Sequence, residues 1–261
     1  AAGDGGGDGD GAWALAARTP YVSLAFKEQS DVAKIQSVNL STHATFEVWV
    51  HPDRESSLGY LIFKKSTFAV ALQDGELVVA FGNVFPGWKW IHSDWKCPLH
   101  QWAHITVTYD TDAELTCIYV NGDLKRKAQV RGELSVSDNI VQIGVKSFRK
   151  MGQKKTRFVG RIADVRVWSV AHTAERIAAS WGQALAGTEA GLAGYWPLDE
   201  GTGTVISDLT PHKNHGEILG AVWHMNVIVP PPTLSTDLKK MIGNELGSDV
   251  RLVAGGEHDA G

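Results

Sequence analysis

The stretch from His100 to Val130, HQWAHITVTYDTDAELTCIYVNGDLKRKAQV, carries three alternating runs in succession. In the first, Ala103, Ile105, Val107 and Tyr109 fall on one face, with His104, Thr106 and Thr108 on the other. A period of two built from β-branched and aromatic residues predicts a strand. The second run, Leu115 to Val120, follows a polar break at 110–114. The third begins after Asn121-Gly122, a pair suited to a two-residue hairpin because both turn positions want a positive φ. The pattern predicts a three-stranded antiparallel meander. A meander alone cannot bury its apolar face, so a second sheet has to cover it.

The rest of the chain supplies further short runs. Tyr21, Val22, Leu24 and Phe26 form one, and Thr45 to Val50 alternates until His51-Pro52 stops it. Runs at 61–63, 68–72, 77–81 and 88–91 precede the meander, and runs at 140–145 and 160–168 follow it. Strands of this length, punctuated by Gly, Asp and Lys turns, predict an all-β sandwich or barrel. One helix interrupts them. Thr173 is a suitable N-cap, Glu175 suits the first turn, and Ala174, Ile177, Ala178 and Trp181 share a face. Strands are predicted again at 192–196 and 218–223. Residues 1–11 are a Gly/Asp-rich leader of disordered composition, and Pro230-Pro231-Pro232 marks a rigid boundary.

Composition narrows the function classes. The formal net charge of −4 gives no general attraction to nucleic acid or to an anionic membrane. No apolar run approaches the roughly 18 residues that span a bilayer. The leader lacks the apolar core of a signal peptide, and a start without Met is expected of a trimmed fragment. Cys97 and Cys117 are too few for a disulfide scaffold, and no C-x-x-C ligand spacing occurs. Asn39-Leu40-Ser41 is a glycosylation sequon, a triplet common by chance and no proof of secretion.

Taken in order, TFEVWVHP, HQWAHITVTYD, CIYVNGDLK, VQIGV and GRIADVRVWSVAHTAERI resemble the laminin-G-like jelly roll, the concanavalin A-like sandwich that includes the pentraxins. LAGYWPLDEGTGTVISDLTPHKNHGEILGAVWH resembles a block these domains carry at their ends. The resemblance covers residues 12–224. It implies two antiparallel sheets in a jelly-roll sandwich, with one short helix and a C-terminal helix-strand extension. Members bind sugars, calcium or other proteins, and the fold alone does not choose among these. Residues 225–233 are a Pro-rich linker. At 234–261, STDLKKMIGNELGSDVRLVAGGE resembles the opening of a BTB domain. Leu238, Met241, Ile242 and Leu246 would share a helix face there, and Ser248 to Val253 would match the first strand. The resemblance implies a complete BTB unit downstream, with oligomerisation through it, in an intracellular, cytoplasmic protein.

Candidate chemistry is sparse. Related glucanases present alternating carboxylates on one strand, and no E-x-D-x-x-E occurs here. The nearest acids, Asp199-Glu200, sit on a Gly-flanked loop, and no G-x-S-x-G elbow supports a catalytic triad. The expectation is a non-enzymatic module without a cofactor. The loop that holds calcium in pentraxins reads KSFRKMGQKKTR here, and its cations repel Ca²⁺. Asp208 and Asn214 could offer oxygens, but capping turns is the preferred reading for both. No metal site is therefore expected.

For carbohydrate, FPGWKWIHSDW offers Trp88, Trp90 and Trp95. Trp88 and Trp90 share a face by alternation, where a core role is common, while Trp95 reads as a loop residue. Core packing or loop anchoring is preferred for each. As ligand contacts the candidates are Trp88, Trp95 and the polar His92, with His100 behind it. Lys146, Arg149, Lys150, Lys154 and Lys155 make a basic loop, to which Lys125, Arg126 and Lys127 add. It suits an acidic protein surface, a sulfated glycan or phosphate groups, or equally a solvated stretch that blocks edge pairing. No aromatic residues interleave with these cations, so nucleic acid ranks third. The leading expectation is a protein-recognition module, which the BTB resemblance implies is the substrate-selecting part of a BTB-type ubiquitin-ligase adaptor. A carbohydrate-binding, lectin-like domain is the alternative.

Overall fold

The computed structural model describes residues 20–28, 30–82, 87–144 and 157–225. The Gly/Asp leader, the BTB-like tail and the basic residues Lys146, Arg149, Lys150, Lys154 and Lys155 lie outside them, as do all but one of the linker residues.

In chain order the strands are β1 (Val22–Phe26), β2 (Val32–Ile35), β3 (His43–Pro52), β4 (Gly59–Lys64), β5 (Phe68–Gln73), β6 (Glu76–Phe81), β7 (Ile91–Lys96) and β8 (Ala103–Asp110). They continue with β9 (Leu115–Val120), β10 (Asp123–Gln129), β11 (Val141–Ile143) and β12 (Gly160–Trp168). Helix α1 (Ala174–Ser180) is followed by β13 (Leu192–Trp196), β14 (Val205–Ile206), β15 (Gly216–Leu219) and β16 (Val222–Met225). A front sheet runs β10-β9-β8-β3-β12-β1-β16, with β13 also paired to β12. A back sheet runs β14-β15-β2-β11-β4-β5-β6-β7. Every pairing is antiparallel, giving the concanavalin A-like jelly-roll sandwich.

The predicted meander is β8-β9-β10. Asn121 and Gly122 have φ of 50° and 82°, as a hairpin following the right-handed twist of its strands requires. Ala103, Ile105, Val107 and Tyr109 all enter the main core. Sheet-to-sheet packing closes it: Phe46 of β3 meets Phe68 of β5 with ring centroids 4.3 Å apart, and Phe81 of β6 meets Tyr109 at 4.8 Å. Two such layers bury the faces that neither sheet could hide alone.

Three sequence expectations need correction, and the second face of β8 has an unforeseen environment. The run at 88–91 is not a strand; β7 begins at Ile91, so Trp95 lies in a strand and not in a loop. The run at 218–223 divides into β15 and β16, because Gly220 turns the chain at φ 79°. Strand β3 continues through His51-Pro52, since Pro52 pairs with Gly160 without needing an N–H there. His104, Thr106 and Thr108 do not face water. All three are buried, because α1 and the segment after it roof the outer face of the front sheet. Ile177 packs on Cys117 and Tyr119, while Trp181 lies 5.9 Å from the His104 ring and 6.0 Å from Trp49. Thr173 caps α1 by accepting from the Arg176 N–H.

Candidate functional site

The outer face of the back sheet gathers four aromatic rings. Tyr60 and Phe63 are three residues apart on β4, so strict alternation would put them on opposite faces. The register shifts between Tyr60 and Ile62, and that bulge returns both rings to one side. They stand 4.9 Å apart. Trp88 and Trp90, just before β7, complete the group: Trp90 lies 6.1 Å from Tyr60, Trp88 lies 6.3 Å from Phe63, and the two indoles lie 6.4 Å apart. The floor is Ala69, packed against Phe63 with Val32 at the margin. Small residues there let the larger rings stand above the sheet. Trp88 is 40% exposed and Phe63 buried, so the patch grades from anchored to open. Burial pushes the Tyr60 phenol above its usual range.

Polar groups stand on other strands of the same sheet. His92 of β7 pairs with Val78 in register, and its Nδ1 lies 2.9 Å from Glu76 Oε2. Glu76 Oε1 accepts the Asp94 N–H at 3.0 Å. The His92 hydrogen bond holds the Glu76 carboxyl below its ordinary range. On the other side of β4, Gln142 pairs with Phe63 and Lys34 pairs with Gln142. An aromatic platform bordered by an amide, an ammonium and an imidazole–carboxylate pair can stack on a ring and hydrogen-bond its edge.

A second concavity lies at the rim. Ser37, Val38, Asn39, Ala193, His212 and Asn214 line a recess of about 270 Å³. Lys64, next to Phe63 but facing inward, sends its ammonium to this rim. Its Nζ donates to Ser37 Oγ (3.0 Å), the Val38 carbonyl (2.8 Å) and Asn39 Oδ1 (2.8 Å). Lys64 is fully buried, which pushes its pKa down, Asp138 working in the opposite sense.

A third constellation resembles acid–base machinery but is sealed under α1. Glu47 Oε1 accepts from Trp168 Nε1 at 2.7 Å, and Oε2 lies 3.4 Å from both Arg166 and His104 Nε2. Arg166 forks onto Asp164 at 2.6 and 2.7 Å. Burial works against the Glu47 charge, but His104, Arg166 and His172 together hold its pKa down to about 2. Burial pushes His172 down to about 4. A carboxylate so firmly ionised and so enclosed holds the sheet to its roof. It has neither the proton affinity nor the access a general base needs.

Among the described residues, His43, Asp110 and Asp112 form a group with ligand atoms close enough for one cation. Asp110 Oδ1 also accepts the Asp112 and Ala113 N–H groups, which is a turn cap. Asp208 is a cap too: it is buried and accepts from the backbone of Tyr195, Thr210 and Asn214 and from the Thr210 hydroxyl.

The structure thus separates the sequence candidates. Trp88 joins the aromatic patch, and His92 lies two residues beyond Trp90 on β7 of the same sheet, three strands from β4. Trp95 turns inward and packs on the main core. Its strand alternation carries it there, opposite to the loop exposure read from the sequence. Tyr60 and Phe63 escaped notice because a bulge is invisible to a period-two reading. The rim recess depends on contacts between residues more than 150 positions apart, and no local pattern announces it.

A family model described as the concanavalin A-like lectin/glucanases superfamily matches residues 27–178. A putative carbohydrate binding protein from Bacteroides ovatus superposes with a TM-score of 0.61 at 21% identity, over 80% of this chain and 61% of that one. The chain therefore spans less than two thirds of that protein. The full extracellular region of zebrafish Gpr126/Adgrg6 superposes with a TM-score of 0.54 at 10% identity, over 79% of this chain and 26% of that one. At such identities these likenesses concern the fold. A search of curated protein sequences finds no match.

Proposed function

The chain belongs to the concanavalin A-like lectin/glucanases superfamily, and from that premise we propose that it is a non-enzymatic module that binds carbohydrate on the outer face of its back sheet. The observation that carries this reading is the Tyr60–Phe63–Trp88–Trp90 cluster, graded from a buried anchor to a 40% exposed indole. Pyranose rings offer a flat C–H face to such rings and hydroxyls to the polar border. Proteins place aromatic clusters of this kind in cores unless a partner is to meet them. The Bacteroides neighbour, titled a putative carbohydrate binding protein, agrees with the reading.

A protein partner with an acidic surface is the competing reading, and exposed β10 with Lys125, Arg126 and Lys127 is its support. Two of these cations already have acids beside them. Arg126 meets Asp94 at 2.9 Å, and Lys125 meets Asp123 at 3.7 Å. That leaves less free charge than the sequence suggests and moves the balance toward sugar.

The test is an immobilised-glycan array probed with the chain and with Trp88→Ala. Selective retention of a glycan class by the chain is expected, with roughly five- to tenfold weaker retention by the variant, since a ring contact is worth about 1–1.4 kcal/mol. Retention of no glycan, together with capture of an acidic protein, would reverse the ranking.

A further inference from the structure

We propose that the rim recess is a subsite for a single sugar unit carrying a carboxylate, an inference that rests on the carbohydrate reading above. It starts from a buried cation. Lys64 is 0% exposed, and its hydrogen-bond partners are two side-chain oxygens and a backbone carbonyl, all neutral. A buried ammonium is costly unless an anion accompanies it. Asp138 is exposed and acts on Lys64 only through its charge, and no carboxylate forms an ion pair with Lys64 among the described residues. The ammonium is hydrogen-bonded to Ser37, Val38 and Asn39, three of the residues that line the recess.

The wall transmits that charge with a definite polarity. Asn39 Oδ1 accepts from Lys64 Nζ at 2.8 Å and from the Ser137 N–H at 3.3 Å. With its oxygen held by a cation, the amide keeps its Nδ2–H groups for other partners, polarised by the bond to Lys64. Ser37 spends its proton on the Ser137 carbonyl at 2.8 Å, so the wall shows donors and little acceptor capacity. Asn214 and His212 add an amide and an imidazole across the recess. Val38 and Ala193 supply apolar surface for the ring itself.

Size and charge then select the ligand. A volume of about 270 Å³ falls just below the usual range of small-molecule pockets and suits one ring, not a chain. A neutral sugar would satisfy the donors but leave the cation uncompensated. A carboxylate on the ring answers both.

The experiment uses the full chain made in a host without N-glycosylation, so that Asn39 of the Asn39-Leu40-Ser41 sequon stays bare. Sodium glucuronate, glucose and sodium acetate are titrated separately, with backbone amide shifts read by NMR. Glucuronate is expected to bind roughly tenfold or more tightly than glucose or acetate, with shifts centred on Ser37, Asn39, His212 and Asn214. Asn39→Asp places a carboxylate beside Lys64. It is expected to raise the Tm while losing glucuronate, an outcome that misfolding cannot produce. Equal affinity for glucose and glucuronate, equal affinity for acetate, or glucuronate binding that survives Asn39→Asp would each overturn the subsite. If the array retains neutral glycans while glucuronate fails to bind, the subsite falls and the aromatic face stands. Glucuronate binding with no neutral glycan retained overturns the aromatic face alone.

Discussion

Single residues in this domain carry charge into places where charge is costly, and the clearest consequence is its response to acid. Glu47 has a folded pKa of about 2, well below its ordinary 4.5. Its contribution to stability is complete above about 4.5 and is lost as the pH falls toward 2. His172 is pushed the other way relative to its charged form: the fold favours the neutral ring, with a pKa of about 4 against 6.5. The unfolded chain therefore binds that proton first, and stability falls as the pH drops from 6.5 to 4. Both slopes have the same sign, so denaturant midpoints should decline continuously from about pH 6.5 downward. His172→Phe is expected to flatten the upper part of that decline, and Glu47→Gln the lower part. Glu47→Gln should also cost on the order of 2 kcal/mol near neutrality, because Arg166 keeps Asp164 but loses its second buried carboxylate. A midpoint independent of pH between 6.5 and 4 would contradict the assignment. None of this was legible in the sequence. Glu47 reads as a polar position on an alternating strand, and only the roof laid over it by α1 changes its environment.

At the scale of elements, local chemistry was the reliable guide and long-range geometry was not. The Asn121-Gly122 turn, the Thr173 cap and the meander follow from short-range rules about φ, hydrogen bonding and alternation, and the structure contains them as read. The failures have two causes. Strand β2 and the two-residue β14 are too short to show a period, and the bulge in β4 shifts a face without altering composition. The glycine of the hairpin offers a direct check. Gly122 has φ 82°, and a Cβ there would sit 2.6 Å from Trp181. Gly122→Val should therefore combine backbone strain with displacement of the Trp181 roof and destabilise the domain by about 2–3 kcal/mol in urea unfolding. A loss below about 0.5 kcal/mol would mean that Trp181 does not hold the roof on the front sheet.

At the scale of the whole molecule, the two sheets play unequal parts. The front sheet spends its outer face on α1 and a buried polar layer, so its buried Glu47, His104 and His172 serve architecture. The back sheet carries its aromatic cluster outward and the rim recess at the end of β4, where Phe63 and Lys64 point to opposite sides of one strand. The sandwich itself was readable from strand spacing and turn residues. The proposed binding surface was half readable, because Trp88 and His92 stand out in FPGWKWIHSDW while Tyr60, Phe63 and Lys64 do not. The most direct measurement exploits the ten tryptophans of the chain, each of which gives an indole N–H signal in an NMR spectrum. During titration with a glycan retained on the array, the Trp88 and Trp90 indole signals should shift together, while those of core-buried Trp168 and Trp196 and inward-facing Trp95 stay in place. Saturable binding that leaves the Trp88 and Trp90 signals unmoved would contradict recognition by the aromatic face.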